Sequence, residues 1–269
     1  MKKSARWIGF GRTETGLVRP SNQDVFAAIN SCNFWIVADG MGGHPAGDRA
    51  AHIAVDVATQ KAKALMSHTT SPSETLAEDL KACIVAANHA IHEKVREDAS
   101  LKGMGTTAVA VMITNDPAPT AYIAHLGDSR AYRFHKGTLT QLTRDHTLVE
   151  MLLERGLINA ATARAYPDRH VLAKGLGMGV DMRPDLNTTP LNAEDLLLLC
   201  SDGLTKMLDD DVIASILSKA DGDPKLACHD LIEEALRRGG EDNVTVIVCA
   251  YMTTGKTGSL AIDKILPAM

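Results

Sequence analysis

No two of the five cysteines, Cys32, Cys83, Cys200, Cys228 and Cys249, form a Cys-x-x-Cys pair, and their number is odd. That argues against a zinc cluster and a disulfide framework, and it fits a reducing cytoplasm. No apolar run approaches the ~20 residues that would cross a bilayer, so no membrane partner is expected. The start, MKKSARWIGFGRTE, is basic but has no apolar stretch behind its charges. It does not read as a signal peptide. An excess of positive charge is missing too: the formal net charge is -5, and no general nucleic-acid surface is expected. Internal repeats and low-complexity tracts are absent. What remains is ordinary globular composition, 45% hydrophobic and 23% charged. At 269 residues the chain fits one large domain or two small ones and can bury a core without staples.

The most informative stretch is FWIVADGMGGHPAGDRAA, from Phe34 to Ala51. Its first five residues are apolar and rich in aromatic and β-branched types, which reads as a buried strand. The strand stops at Asp39-Gly40, and the glycines that follow, Gly42, Gly43 and Gly47, suit neither helix nor strand. A carboxylate is thus fixed at a strand end beside a loop with little side-chain bulk. Such a loop leaves room for a metal or a phosphate, although Asp-Gly is also common turn punctuation.

Around this stretch the chain reads in order. A strand and turn cover Ile8 to Val18. A strand from Val25 to Ile29 pairs with the one ending at Asp39 and carries Arg19 and Asp24 at its start. Two helices follow, Gly47 to Ser67 and one capped by Ser73, with apolar residues every three or four positions. His89, His92 and Glu93 on the second helix read as solvated, since no third ligand is evident. Strands are expected over Thr106–Thr114, Thr120–Leu126, Ala131–Phe134 and Thr138–Leu142. Thr143 to Pro190 reads as an irregular insertion over the edge of the site. An apolar strand, Asp195–Cys200, precedes helices at Asp210–Lys219 and Pro224–Arg238, and a last strand spans Val244–Ala250. From Thr253 to Gly258 the chain reads as a flexible linker, and the final residues as a short helix or as disordered.

Four aspartates share one placement. Asp39, Asp128 and Asp202 each follow a buried strand, and Asp242 immediately precedes one. Like charges gathered within ~5 Å raise one another's pKa unless a cation intervenes. A hard divalent ion such as Mg²⁺ or Mn²⁺ suits carboxylate and carbonyl oxygens.

Six ordered blocks now stand out: Arg19-x-x-Asn22-Gln23-Asp24, Val37-Ala38-Asp39-Gly40-Met41-Gly42-Gly43, Gly105-Thr106-Thr107, Gly127-Asp128-Ser129-Arg130, Ser201-Asp202-Gly203-Leu204 and Glu241-Asp242-Asn243-Val244-Thr245. Together they resemble the metal-dependent type 2C Ser/Thr protein phosphatases in their bacterial form, over nearly the whole chain from Ile8 to Ala250. The resemblance implies an α+β fold, a four-layer α-β-β-α sandwich of two antiparallel sheets flanked by helix pairs. It implies a catalytic domain over residues 1–251, with a flap at about 143–190, and a tail over 252–269.

By position, the resemblance has Asp39 bridge two Mn²⁺ or Mg²⁺ ions, with Asp202 and Asp242 completing one shell and the Gly40 carbonyl joining the other. Asp128, with Asp202, resembles the ligands of a third ion. Asp24 would hold water from a second shell, Asn243 would support Asp242, and Arg19 would bind the substrate phosphate with its guanidinium fork. The implied reaction is hydrolysis of phosphoserine and phosphothreonine by an activated water, without a phosphoenzyme. The implied partners are phosphoproteins made by a Ser/Thr kinase.

Two departures from the family pattern are visible. Gln23 stands where many members have glutamate, and Met41 where eukaryotic members have a histidine proposed as general acid. His44 lies three residues on, and the leaving-group acid stays open. Rival readings are weaker. Ser129 in Gly-Asp-Ser lacks the late Asp-x-x-His of esterases. Cys200 has Lys206, not arginine, at the position a cysteine phosphatase needs. A phosphatase-fold binding module with weak turnover is the remaining alternative.

Overall fold

The computed structural model describes residues 5–41, 46–68, 73–114, 116–164, 166–253 and 264–266. The glycines at 42 and 43, His44 and residues 254–258 of the expected linker lie outside these, while Thr253, read as its first residue, is strand.

Three antiparallel strands open the fold: β1 (Ala5–Glu14), β2 (Asp24–Ile29) and β3 (Phe34–Met41). Two long helices follow, α1 (Ala46–His68) and α2 (Ser73–Glu97). A meander comes next: β4 (Gly105–Thr106), β5 (Ala108–Ile113), β6 (Thr120–Leu126), β7 (Arg130–His135) and β8 (Thr138–Gln141). The irregular stretch holds two short helices, α3 (Leu148–Glu154) and α4 (Ala160–Arg164). It closes on a strand, β9 (Asp185–Pro190). The remainder is β10 (Leu196–Cys200), α5 (Asp202–Met207), α6 (Asp210–Lys219), α7 (Pro224–Arg237), β11 (Val244–Thr253) and β12 (Lys264–Leu266).

The strands form two sheets. One runs β1-β11-β10-β7-β8, and the other β12-β2-β3-β5-β6-β9, with β4 paired to β3. Side chains alternate across each strand, and in the central strands both faces are covered. On β3, Phe34, Ile36 and Ala38 pack toward α1 and α2, while Trp35 and Val37 enter the space between the sheets. On β10, Leu196, Leu198 and Cys200 pack on α5 to α7, while Leu197 and Leu199 face the other sheet. A strand buried on both faces has no polar period, which is why the sequence there reads Leu-Leu-Leu-Leu. The four layers expected from the sequence are present: helices, sheet, sheet, helices.

Four expectations change. Arg19 lies on the loop before β2 and not on a strand. The last six residues of the stretch 143–190 are strand β9, which adds to the edge of the sheet beside β6. Its pairing begins His125↔Asp185, and its mostly exposed side chains explain why the sequence shows no hydrophobic signal there. Asp202 starts a short helix, α5, where a strand-ending turn was expected. In the tail, Lys264–Leu266 is neither helix nor disordered: it is strand β12, paired antiparallel with β2.

Candidate active site

The β2–β3 hairpin register places Asp24 opposite Asp39. Asp39 is held through its backbone. Its N–H donates to Thr107 Oγ1 at 3.0 Å, and its carbonyl accepts from Thr107 N at 2.9 Å and Thr106 Oγ1 at 2.8 Å. The Gly105-Thr106-Thr107 block is therefore an anchor for one aspartate. Thr107 Oγ1 also shares a 2.6 Å hydrogen bond with the buried Ser129 hydroxyl, which ties Asp39 to the Asp128 turn. That placement removes Ser129 as a nucleophile.

Asn22 accepts the Asp24 N–H at 3.0 Å and so shapes the entry to β2. The Asp24 side chain is fully buried. Its Oδ2 accepts from Ser201 Oγ at 2.7 Å, and its Oδ1 has no partner. Asn243 joins three segments: its backbone N–H donates to Asp242 Oδ1 at 3.0 Å, its Oδ1 accepts from Gln23 N at 2.8 Å, and its Nδ2 donates to the carbonyls of Thr15 and Ser21 at 2.8 and 2.9 Å. This residue fixes the Arg19 loop against Asp242. Gly40 and Gly203 are needed for close approach. A Cβ on Gly40 would strike the backbone of Gly47, and one on Gly203 would strike the Asn243 carbonyl.

These elements converge on a cavity of about 610 Å³ whose wall includes Arg19, Asp39, Gly40, Asp128, Asp202 and Asp242. Asp24 lies behind it. Thus every site residue expected from the sequence is at this cavity or in contact with its wall. Among the wall residues not read as part of the site are Asp48 on the first turn of α1, Lys206 on α5, and His170. No signal marked Asp48. Lys206 sits four residues after Asp202, a helical spacing, but α5 itself was not recognised. His89 and Glu93 are exposed on the outer helix α2, as the solvated reading requires, whereas His92 is half-buried and its Nε2 is buried without a hydrogen-bond partner.

The electrostatics follow from burial. Asp24 is pushed up to about 7 by burial, with Asp202 and Asp242 adding to the rise against its hydrogen bonds. Asp128 is pushed up to about 7 by burial and then by Asp202. Asp39 rises well above the carboxylate range through burial and the charges of Asp24, Asp202, Asp128 and Asp242. Asp242 moves the other way. Burial alone would raise it, but Lys206, the Asn243 N–H and Arg19 together hold it below its usual value. Arg19 grips Asp242 with both ends of its fork, Nε to Oδ1 at 2.8 Å and Nη2 to Oδ2 at 2.9 Å. Among the described residues, no three His, Cys, Asp or Glu side chains surround one point closely enough to hold an ion. Asp202 and Asp242 pair with Lys206, and Asp242 also pairs with Arg19.

A pH dependence results for the metal-free protein. Unfolded aspartate titrates near 3.8, whereas Asp24 and Asp128 do so near 7 in the fold. The folded state therefore binds the extra protons, and that contribution to stability is full at low pH and lost as pH rises toward about 7. The melting temperature of chelated protein should fall across this window, and fall less in Asp24→Asn. Equal slopes in a thermal melt series would contradict the assignment.

The sequence model of protein phosphatase 2C matches residues 18–221. The chain belongs to this family. It is 38% identical over 241 residues to the serine/threonine protein phosphatase PstP of Mycobacterium tuberculosis, covering 88% of this chain and 43% of that protein. It therefore spans less than half the length of that relative. A serine/threonine phosphatase stp of Listeria welshimeri is 37% identical over 240 residues, covering 88% of this chain and 93% of the relative. The crystal structure of the PstP catalytic domain in complex with two manganese ions superposes with a TM-score of 0.78 at 34% identity, covering 93% and 100% of the two chains. The superposition covers the paired sheets described above. Burial closes the cysteine reading: Cys200 is fully buried, and this pushes its thiol up to about 12.

Proposed function

We propose that this chain is a protein serine/threonine phosphatase that hydrolyses phosphoserine and phosphothreonine monoesters with the help of divalent cations. The observation that carries the reading is the buried carboxylate cluster. Asp39, Asp128, Asp202 and Asp242 share one cavity, with Asp24 directly behind. Oxygens of Asp24 and Asp202 are buried there without hydrogen-bond partners. Such groups need a cation, and an all-oxygen donor set fits Mn²⁺ or Mg²⁺. Asp39, the Gly40 carbonyl, Asp202 and Asp242 would hold two ions, and Asp128 with Asp202 a third. Bound there, the ions supply Lewis acidity and lower the pKa of water.

The chain's own residues do the rest. Asp24 keeps an acceptor oxygen at the buried side of the cluster, where it can orient a water. Asn243 fixes Asp242 and the Arg19 loop in one frame. Arg19, half exposed at the mouth, can turn its fork from Asp242 to the phosphate oxygens. No side chain needs to act as nucleophile. The substrates are phosphoproteins made by a Ser/Thr kinase, and the five free cysteines fit a cytoplasmic setting. No helix among the described residues is long and apolar enough to cross a membrane. A phosphatase-fold module that only binds would be free to lose carboxylates, and all are kept.

Hydrolysis of p-nitrophenyl phosphate and a phosphothreonine peptide tests this. Turnover should require Mn²⁺ or Mg²⁺ and stop on chelation; turnover that survives chelation would overturn the reading. Arg19→Ala should raise KM for the phosphopeptide about tenfold, the scale of one lost charge-assisted contact, with kcat less affected. An unchanged KM would leave Arg19 a structural partner of Asp242.

A further inference from the structure

Two of the carboxylates assigned to a divalent ion already share a cation of the chain's own. Lys206 Nζ lies 2.6 Å from Asp202 Oδ2 and 2.9 Å from Asp242 Oδ2. An aspartate and a lysine four residues apart on a helix are usually a surface pair of small effect. This pair is different. The Lys206 side chain is 24% exposed, and it ends between carboxylates contributed by α5 and by the loop before β11. Both carboxylates are less exposed still, at 16% and 18%. The second oxygen of Asp202 is buried and has no partner. An ammonium brings one charge and cannot satisfy every lone pair around it. Asp202 is therefore half satisfied: one oxygen is held by a cation, and the other keeps its lone pairs free.

We propose that Lys206 is the internal counter-ion of this site, holding Asp202 and Asp242 together in the metal-free chain and leaving them when a divalent cation binds. The inference rests on the reading of the cluster as a metal site. Without a cation, two carboxylates this close would repel each other and pull α5 away from the start of β11. With a divalent cation beside them, the ammonium is repelled and its two hydrogen bonds compete with coordination. Lys206 thus stabilises the metal-free fold and lowers metal affinity. Arg19 on Asp242 cannot replace it, because Arg19 does not reach Asp202 in this structure.

Mn²⁺ titration calorimetry on wild type, Lys206→Met and Lys206→Gln tests the idea. Charge-assisted hydrogen bonds of this kind are worth roughly a factor of ten in an equilibrium constant, so both variants should bind Mn²⁺ about tenfold more tightly. Their metal-free forms should melt below wild type, while their Mn²⁺-saturated forms should not. Acetylation of Lys206 by acetic anhydride, followed by mass spectrometry, reads the same event in the wild-type chain, even if a variant fails to fold. Lys206 should be slow to react without metal and severalfold faster with saturating Mn²⁺. Wild type that binds Mn²⁺, with variants that bind it no more tightly and labelling that Mn²⁺ does not change, would overturn the counter-ion role alone. Wild type that takes up neither Mn²⁺ nor Mg²⁺ would overturn the metal reading together with this one.

Discussion

Asp39→Asn should abolish phosphatase activity while making the metal-free protein more stable. The two effects have one origin. Asp39 is crowded by Asp24, Asp128, Asp202 and Asp242, and its carboxyl is pushed well above the usual range by burial and by these neighbours. Asparagine keeps the shape and removes a carboxyl whose ionisation burial and these neighbours oppose. The backbone around it is pinned by Thr106 and Thr107, whose bonds do not involve the side chain, so the hairpin should be unchanged. Relief of that opposition should raise the melting temperature of the chelated protein. The same lost carboxyl removes the proposed shared ligand. Groups one step removed from a metal cost about ten- to a hundredfold when lost, so a ligand itself should cost more. Calorimetric Mn²⁺ titration, thermal melts and phosphopeptide kinetics on one sample decide the matter. A variant that turns over near the wild-type rate, or one that melts lower without metal, would contradict the placement of Asp39 at the centre of the cluster.

Asp128→Ala should separate the proposed third ion from the first two. Asp128 is 6% exposed and is carried on the turn after β6, far in sequence from the hairpin that bears Asp39. Its turn is held by others: Gly127 N–H donates to His146 Nδ1 at 3.2 Å, and Gly127 takes a φ of +107° at a place where a Cβ would strike Thr107. The Asp128 side chain is not needed for that conformation, and alanine should leave the fold intact. The carboxyl faces two adjoining cavities, and Asp202 lines both of them as well. Both residues thus line the same two cavities, and the proposal gives Asp202 to the core pair and the third ion, and Asp128 to the third ion alone. The variant should keep tight binding of two ions and lose a weaker one. Turnover should fall on the order of ten- to a thousandfold, the range for loss of one transition-state interaction. Full activity would show that Asp128 has no part in the reaction, and loss of all metal binding would show that it belongs to the core pair.

The sequence alone placed the buried strands and the four aspartates at their ends, and the resemblance supplied the layers. Strands buried on both faces must be apolar without a period, and Phe34 to Ala38 and Leu196 to Cys200 are. A carboxylate placed where such a strand ends cannot retreat into the core, so Asp39, Asp128, Asp202 and Asp242 were legible from their positions. Arg19, Asp24 and Asn243 came through the resemblance of their blocks. Other features had no local signal. Strand β9 is mostly exposed at a sheet edge, where pairing with β6 supplies the order that its own side chains do not. Helix α5 is six residues long, too short for a period to show. Missing that helix hid Lys206, because its meaning depends on two aspartates 40 residues apart in sequence, Asp202 and Asp242, meeting at one amine. Composition and spacing fix which residues end up at the edge of a sheet. Only the packing of the two sheets decides which charges then face each other, because repulsion and pairing depend on distances that the order of residues does not contain.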